Sequence, residues 1–216
     1  MKLINSIGPN PRMVRMFMAE KGITLPTENI DLMKAENREE AHLKRNPAGT
    51  SPALELDNGD YLSEITAICE YLEDKNPSPA LIGSNAEEKA ETRMWTRRVD
   101  LNICEPMANG FRYSEGLKMF SPRFRCLPEA ADGLKAIAQD NLEKLNGWIE
   151  GRNYLCGDRF TMADVLLFCW IDFFKNINQP INPDHSNVQA WYDRVAARPS
   201  AAATAESTPP DSPQIT

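Results

Sequence analysis

Apolar residues at the start of the chain follow a pattern that changes from strand-like to helical. A short apolar run at 2–5 predicts a β-strand, and it leads into the turn sequence Gly8-Pro9-Asn10-Pro11. Gly22 has the character of a helix C-terminal stop. Between the turn and this glycine, apolar side chains recur at helical spacing, at Met13, Val14, Phe17 and Met18. The pattern predicts a strand, a loop and a helix.

The following segment adds short strands and another helix. Residues 27–32 suit a strand, and the charged stretch 34–45 predicts an exposed loop with a short helix. Residues 52–62 contain two short apolar runs around Asp57-Asn58-Gly59-Asp60, which is typical of a β-hairpin. Helical spacing returns after Glu64. Residues 1–78 are therefore predicted to form a β-α-β-α-β-β-α domain.

Beyond a Pro-rich linker at 76–79 the pattern is helical. Helices are predicted over 87–111 and 134–149, and residues 165–174 are apolar on nearly every face, as in the central helix of a bundle. Thr161 and Asp164 have the spacing of a capping box at the start of that helix. We predict an all-helical domain over 86–200 and, from composition, a disordered tail over 201–216.

Composition argues against several classes of function. The net charge of −7 argues against a nucleic-acid or anionic-membrane partner, since phosphate contacts need clustered Lys and Arg. No apolar run approaches the roughly 20 residues that span a bilayer, and the start lacks the apolar stretch of a secretory signal. Two histidines and five scattered cysteines show no metal-ligand spacing and fit free thiols. We expect a cytoplasmic protein without a metal.

The order of elements in residues 1–78 resembles a thioredoxin-like domain, in which chemistry takes place where the first strand meets the first helix. The helix dipole and the free N–H groups at such a helix start stabilise a thiolate. No cysteine occurs before Cys69. Resident dithiol chemistry is therefore excluded at this position, and any thiolate there must arrive with a ligand.

Several motifs, in order and spacing, resemble the glutathione transferase superfamily, including its bacterial cytosolic members. The first strand and helix match through Arg12-Met13-Val14-Arg15, and residues 46–54 match the NPxGxxPxL segment, with Pro52 at the position of the cis-proline. Residues 62–72 resemble the family's L-x-E-S-x-A-I-x-x-Y-L helix, and residues 157–164 its capping motif. The resemblance covers about residues 1–198. It implies a thioredoxin-like α/β N-terminal domain and an all-α C-terminal domain.

The resemblance also implies where glutathione binds. A cis bond between Ser51 and Pro52 turns the Ser51 main chain outward, where it pairs with the cysteinyl unit of glutathione. Glu64 at a helix start accepts the γ-glutamyl ammonium, and the N–H of Ile65 donates to the carboxylate of the same group. A helix-start carboxylate that only complements the dipole is the alternative interpretation of Glu64.

The group that stabilises the thiolate is less clearly marked, because Gly8 stands where many family members have serine. We rank Asn10 first and Ser6 second as the catalytic residue. Main-chain N–H groups at the helix start are a third source of stabilisation. A local turn residue is the alternative interpretation of both side chains.

The acceptor site is expected between this loop and the first helices of the second domain. Phe111, Arg112, Tyr113 and Phe120 are the candidate lining, because aromatic groups with a cation suit apolar acceptors. The resemblance implies conjugation of glutathione to a small electrophile, as in detoxification, by a homodimer. A glutathione-dependent disulfide reductase is the alternative activity. A non-catalytic binder of glutathione or of a hydrophobic ligand is a third possibility.

Overall fold

The structure is a computed structural model that describes residues 1–205. Its sheet contains β1 (Lys2–Asn5), β2 (Thr27–Asn29), β3 (Ala53–Glu55) and β4 (Tyr61–Leu62), in the spatial order β2-β1-β3-β4. β1 pairs in parallel with β2 and antiparallel with β3, and Leu3 lies opposite Leu54. β3 and β4 form the antiparallel hairpin that the turn residues predicted. β2 ends three residues earlier than its predicted limit at residue 32.

Helices α1 (Pro9–Glu20), α2 (Glu40–Leu43) and α3 (Ile65–Lys75) complete the first domain, with a 3₁₀ turn at Glu36–Arg38. Apolar side chains from α1, α3 and the sheet form one buried core, including Phe17, Leu54 and Ile68. α1 ends before Gly22, whose φ of 65° suits a residue without a Cβ. The predicted thioredoxin-like domain is confirmed.

The second domain is helical, as predicted. Its helices are α4 (Ala86–Val99), α5 (Glu105–Arg112), α6 (Leu117–Phe120), α7 (Ala131–Trp148), α8 (Met162–Phe174), α9 (Ser186–Ala196) and α10 (Pro199–Ala203). A π-helical turn, Asp100–Cys104, joins α4 to α5, so the segment predicted as one helix over 87–111 contains two α-helices around an irregular turn. A 3₁₀ turn, Pro128–Ala130, precedes α7.

The centre of this domain is α8, and a capping box begins it. Both halves of the box predicted from Thr161 and Asp164 are present. The buried Asp164 carboxylate also accepts hydrogen bonds from the Leu155 N–H and from the Trp191 indole, each at 2.9 Å. Burial raises the pKa of Asp164, and these hydrogen bonds oppose the rise. The carboxylate therefore links α8 to the preceding loop and to α9.

The predicted disordered tail over 201–216 begins too early. Residues 199–203 form α10, in which Ala201 is buried, so the boundary at residue 201 was wrong. The Arg12 guanidinium donates to the Ala201 carbonyl at 3.3 Å, and this contact supplies the reason. Composition alone cannot show a long-range contact of this kind. Residues 206–216 lie outside the described part of the chain.

Three charged residues of α1 and its C-terminal cap, Arg12, Glu20 and Lys21, have partners at the boundary of the two domains. Arg12 forms an ion pair with Asp172 of α8, and the Glu20 carboxylate accepts hydrogen bonds from Nε and Nη2 of Arg198. Lys21 is completely buried and its Nζ lies 2.5 Å from the Glu73 carboxylate and 2.6 Å from the Pro79 carbonyl. These pairs attach α1 to α3, to the linker and to the second domain.

Among residues 1–205 no helix is long and apolar enough to cross a membrane. Within the same residues, no group of three His, Cys, Asp or Glu side chains is arranged to hold a metal ion.

Candidate functional site

The end of β1 and the loop before β3 meet at a pair of serines. The Ser6 hydroxyl donates to Ser51 Oγ at 2.8 Å and lies 3.3 Å from the Ile7 carbonyl. Ser6 is buried, with 5% of its surface exposed. The Ser51-Pro52 peptide bond is cis, as the motif predicted. The structure therefore brings together Ser6 and Ser51, two of the predicted site residues.

Buried polar side chains from 37–46 hold the loop that carries Ser51. The Asn37 amide donates to the Gly49 carbonyl at 2.6 Å, and the Asn46 amide donates to the Thr50 carbonyl at 3.0 Å. His42 Nε2 lies 2.9 Å from the same Thr50 carbonyl. The sequence interpretation assigned no role to these side chains, although Asn46 lies in the quoted motif. They act as positioning residues, because they fix the loop without reaching the site themselves.

The start of α1 has few main-chain donors. Gly8 is the N-cap of the helix, with a φ of 112° that residues with a Cβ atom rarely adopt. Pro9 and Pro11 have no N–H group, and the Arg12 N–H bonds to the Gly8 carbonyl at 3.1 Å. Among the first three residues of the helix, Asn10 therefore provides the single main-chain N–H.

The Asn10 side chain lies at the same helix start. Its Oδ1 is buried and has no hydrogen-bond partner among the described residues. Buried polar atoms of this kind normally have a partner, and a bound ligand or water molecule is one source of it. The side-chain acceptor of Asn10 thus lacks a partner among the described residues at the start of α1.

Arg15, one turn further along α1, is a positioning residue that the sequence interpretation did not select. Its guanidinium donates to Asn5 Oδ1 at 2.6 Å and to the Ser6 carbonyl at 3.0 Å. These bonds tie the end of β1 to the body of α1. The orientation of the 6–10 loop therefore depends on the Arg15 cation. The apolar spacing of the helix did not indicate this role for Arg15.

Glu64 occupies a strained conformation at the start of α3. Its φ of 69° and ψ of 116° are unfavourable for a residue with a side chain, and its carboxylate makes no capping hydrogen bond to the helix. Such a conformation costs about 1–3 kcal/mol and is concentrated at functional sites. The N–H groups of Ile65, Thr66 and Ala67 at the helix start have no hydrogen-bond acceptor within residues 1–205.

Asp100 is a second carboxylate, and its electrostatic surroundings include Glu64. It begins the π-helical turn, and such turns often mark functional sites. Burial raises the pKa of Asp100; the carboxylates of Glu105 and Glu64 act in the same direction, and Arg97 opposes them. Its carboxylate has no hydrogen bond or ion pair with any described residue. The sequence interpretation did not select Asp100, because its electrostatic interaction with Glu64 arises only in the fold.

The predicted acceptor residues lie in an aromatic cluster of the second domain. Phe111 packs against Phe174 at 5.4 Å between ring centroids and against Phe120 at 6.0 Å. The Arg112 guanidinium lies over the Phe120 ring at 5.9 Å, and its Nη1 is 3.4 Å from the Glu105 carboxylate. Tyr113 is half-buried at the end of α5.

One contact connects this cluster to the first domain. Arg123 lies over the Phe120 ring at 5.6 Å and donates to the Leu32 carbonyl at 2.7 Å. No described hydrogen bond or ring contact joins Phe111, Arg112 or Tyr113 to Ser6 or Asn10. Their assignment to the acceptor site stays a prediction.

The pKa is raised for three of the cysteine thiols, Cys69, Cys104 and Cys156. A raised pKa leaves less of the nucleophilic thiolate at neutral pH. Burial raises the pKa of both Cys69 and Cys104 well above the ordinary value. Burial also raises the pKa of Cys156. No cysteine precedes Cys69, so α1 carries no thiol of its own.

Two family models match the chain. The model described as glutathione S-transferase, N-terminal domain, matches residues 7–75, and the model described as glutathione S-transferase, C-terminal domain, matches residues 125–199. The first range contains the predicted site residues Asn10, Ser51 and Glu64, and the second contains α8 with its capping box.

Known proteins resemble the whole chain. Glutathione S-transferase 2 of Saccharomyces cerevisiae is 30% identical over 198 residues, which are 89% of this chain and 84% of that protein. The crystal structure of Gtt2 from Saccharomyces cerevisiae superimposes with a TM-score of 0.89 at 28% identity, covering 95% of this chain and all of that one. A glutathione S-transferase domain-containing protein from Marinobacter aquaeolei gives a TM-score of 0.87 at 32% identity, with 93% of this chain covered and all of that one.

Proposed function

Because the chain belongs to the glutathione S-transferase family, we propose that it binds glutathione along Ser51-Pro52 and Glu64-Ile65 and activates the thiol of glutathione for attack on a small electrophile. The observation that carries this proposal is the strained Glu64 at the start of α3. Its cost of about 1–3 kcal/mol is understandable if the conformation presents the carboxylate to a ligand.

The γ-glutamyl group of glutathione carries one ammonium and one carboxylate, and the groups around α3 complement both charges. Glu64 and Asp100 provide two carboxylates without described hydrogen-bond partners, which suit the ammonium. The free N–H groups that begin with Ile65 suit the carboxylate, since a helix N-terminus attracts anions. A ligand that supplies both charges relieves both sets of unsatisfied groups.

The sulfur is proposed to lie at the start of α1. The Asn10 N–H and side-chain amide stabilise the thiolate there, with the dipole of α1 adding to the effect. An unperturbed thiol with a pKa of about 8.5 is only a few per cent ionised at pH 7, so lowering that pKa enlarges the reactive fraction. Ser6 ranks second, because its hydroxyl is buried and already donates to Ser51.

The acceptor is proposed to bind near Phe111, Arg112 and Tyr113. Attack forms a carbon–sulfur bond, and the electron pair of the bond that breaks leaves with the departing group of the acceptor. A small, mostly apolar electrophile suits the aromatic cluster, and the Arg112 cation suits an electron-rich leaving group. A homodimer acting in the cytoplasm remains part of this proposal.

Glutathione-dependent disulfide reduction is the second candidate. It is favoured by the lack of a suitable thiol near the start of α1 in residues 1–205, because bound glutathione then supplies the attacking sulfur. In that reaction the thiolate attacks one sulfur of a disulfide, a mixed disulfide forms, and the other sulfur leaves as a thiolate. A protein that binds glutathione without catalysis is the third candidate.

A glutathione titration tests the proposal directly. Binding heat and thiolate ultraviolet absorbance are measured together across a range of pH, on the native protein and on Glu64→Gln as the matched variant. Saturable binding with a lowered thiol pKa supports the proposal. The Glu64→Gln variant is expected to bind glutathione more weakly than the native protein. Binding without a change in thiol pKa supports the non-catalytic binder. Absence of binding at millimolar glutathione contradicts all three candidates.

Substrate assays separate the two activities. Turnover of an aryl halide without turnover of a glutathione mixed disulfide supports conjugation, and the opposite result supports disulfide reduction.

A further inference from the structure

Arg123 is a cation of the helical domain that contacts the first domain. It lies in the segment between α6 and α7, and its guanidinium donates to the Leu32 carbonyl at 2.7 Å. Leu32 follows β2 in the first domain. Arg123 therefore bridges the two domains, and it has no role in the function proposed above.

The Arg123 guanidinium also belongs to the aromatic cluster of the predicted acceptor site. It lies over the Phe120 ring, 5.6 Å from the ring centroid. Phe120 in turn packs against Phe111 at 6.0 Å and against Phe124 at 5.6 Å between ring centroids. The Arg112 guanidinium lies 5.9 Å from the centroids of both Phe120 and Phe124. Two cations and three rings are therefore collected in one place, each cation beside an aromatic face.

The two cations of this cluster differ in the charges around them. Arg112 pairs with the Glu105 carboxylate at 3.4 Å. Among residues 1–205, Arg123 has no carboxylate within ion-pair distance, and its one described hydrogen bond goes to a neutral carbonyl. Burial lowers the pKa of Arg123, and the nearby Arg38 cation acts in the same direction. An anion that binds beside Arg123 would offset the cost of this partly buried charge.

Arg38 contributes a further positive charge from the first domain. Its Nη1 donates to the Ala48 carbonyl at 3.4 Å, and it lies so close to Gly49 that a Cβ atom there would be 2.7 Å away. Arg38 is thus packed against the loop that leads to Ser51. Within the described part of the chain, Arg38 also has no carboxylate at ion-pair distance. Unpaired cations therefore extend from the loop that carries Ser51 to the aromatic cluster.

We propose that Arg123 selects acceptors that carry a carboxylate, so that the electrophile conjugated by this protein is a small aromatic anion. This inference rests on the function proposed above. The Arg123 guanidinium donates charge-assisted hydrogen bonds to the carboxylate, for which its planar fork is well suited. The ring of the acceptor packs against Phe120 and Phe124, and 38% of the Phe124 surface is exposed. A neutral ring would leave the Arg123 cation unpaired.

The carboxylate of the acceptor takes no part in the bond changes. With an aryl chloride, the glutathione thiolate forms a carbon–sulfur bond at the ring carbon that bears the chlorine. The carbon–chlorine bond breaks, chloride leaves with the electron pair, and the proton of the thiol passes to solvent. Arg123 is therefore proposed as a residue that determines specificity, and its effect is measured by comparing acceptors that differ only in charge.

Binding of unreactive analogues measures this preference without turnover. Calorimetry on the full-length protein compares 3,5-dinitrobenzoate with the neutral 3,5-dinitrobenzamide, in the presence of millimolar S-methylglutathione to fill the proposed glutathione site. The native protein should bind the benzoate at least about tenfold more tightly than the benzamide. In Arg123→Gln the two ligands should bind within about twofold of each other, because the charge-assisted hydrogen bonds are lost. Thermal melting and circular dichroism establish that the variant is folded.

Arg125→Gln is the matched control, since it removes an exposed positive charge two positions further along the same segment. Arg125 has no described hydrogen bond, ion pair or ring contact with residues 1–205. Its replacement should change the preference for the benzoate by less than about twofold, because an exposed charge is screened by solvent and salt.

Turnover provides a second readout. The kcat/KM for 4-chloro-3,5-dinitrobenzoate is divided by that for 4-chloro-3,5-dinitrobenzamide, and the result is normalised by the same ratio for the uncatalysed reactions with glutathione. The normalised ratio should fall by about tenfold in Arg123→Gln. Damage to the fold or to glutathione binding lowers kcat/KM for both acceptors and leaves the ratio unchanged, so a merely structural role of Arg123 does not produce this result.

Three results would overturn the inference. They are equal binding of the benzoate and the benzamide to the native protein, equal losses of preference in Arg123→Gln and Arg125→Gln, and a loss of S-methylglutathione affinity in Arg123→Gln that matches the loss for the benzoate. The last result would assign the Arg123 cation to a carboxylate of glutathione itself. Failure of the proposed function differs from all three: S-methylglutathione does not bind, or neither aryl chloride is turned over. The binding preference then still decides whether Arg123 selects the anion.

Discussion

The two ends of α1 differ in whether selected polar side-chain groups have hydrogen-bond or ion-pair partners. At the C-terminal end, Glu20 and the cap residue Lys21 both have charged partners, Arg198 and the buried Glu73. At the N-terminal end, the Asn10 Oδ1 is buried and has no hydrogen-bond partner within the described part of the chain. One helix therefore carries both a fully paired boundary and an open site. The difference indicates which polar groups stabilise the fold and which are available to a ligand.

The same contrast separates two carboxylates near α1 and α3. Asp172 at the domain boundary accepts hydrogen bonds from Lys175, Tyr192 and Arg12, which lower its pKa against the effect of burial. Asp100 has no such partners among residues 1–205, and burial raises its pKa. Unpaired groups cost free energy in the unliganded protein, and that cost is recovered when a ligand of complementary charge binds.

The largest effect is expected at the paired end. Glu73→Ala leaves Lys21 buried without its counterion and should lower the free energy of unfolding by about 3–5 kcal/mol. Urea denaturation measures the loss. The control is Glu70→Ala, three positions earlier on the same helix, where the partner Arg93 is exposed and the loss should stay below about 1 kcal/mol. Similar losses in the two variants would contradict the assignment of Lys21–Glu73 as the critical pair.

At the open end, Glu64→Gln should weaken glutathione binding by about 1.5–3 kcal/mol, because it removes a charge-assisted hydrogen bond to the ammonium. Calorimetry measures this change. Glu64→Gly should lose binding as well but should gain up to about 1 kcal/mol of stability, since glycine relieves the strain at φ of 69°. Glu64→Ala retains the strain and serves as the control. A Glu64→Gly variant no more stable than Glu64→Ala would argue against stored strain.

Asn10→Ala tests the thiolate side of the open end. The pKa of bound glutathione should rise by about one unit or less, which corresponds to about 1.4 kcal/mol, while affinity changes little. The main-chain N–H of residue 10 remains in the variant and limits the effect. Thiolate absorbance as a function of pH measures it. If Ser6→Ala abolishes turnover and Asn10→Ala does not, the ranking of the two residues is reversed.

The smallest effect concerns the pH dependence of stability. The pKa of Asp100 is higher in the folded protein than its ordinary value of 3.8, so the folded state favours the protonated form. The carboxylate is destabilising at neutral pH, and this effect diminishes as the pH falls through the raised pKa. Asp100→Asn should therefore stabilise the protein at pH 7, by less than about 1 kcal/mol, and less in acid.

Asp172→Asn is the opposite case. The pKa of Asp172 is lowered in the folded protein, so its contribution to stability is present above the ordinary value of 3.8 and is lost as the pH falls through the lowered pKa. This variant should be destabilised at pH 7, and the loss should diminish in acid. Urea denaturation at several pH values compares the two variants. The same sign of change in both would contradict the contrast between paired and unpaired carboxylates.

Local signals in the sequence determined most of the fold. The turn residues at 57–60 indicated the β3–β4 hairpin, and Thr161 with Asp164 indicated the start of α8. These predictions succeeded because each depends on residues a few positions apart, whose spacing alone decides the hydrogen bonds that form. The motifs also directed attention to Ser51 and Glu64, but their role in binding glutathione stays a prediction.

Tertiary structure decided which side chains meet. Arg12 donates to the Ala201 carbonyl of α10, where composition predicted the tail to begin, and Asp100 in the π-helical turn interacts electrostatically with Glu64. The contact of Arg123 with Leu32 likewise spans 91 positions of sequence. Burial and electrostatic environment depend on such distant neighbours, whereas residue spacing reports only on near ones. The sequence by itself thus determined the order of most elements and the family, and the packing of those elements decided which polar groups were paired and which were left open.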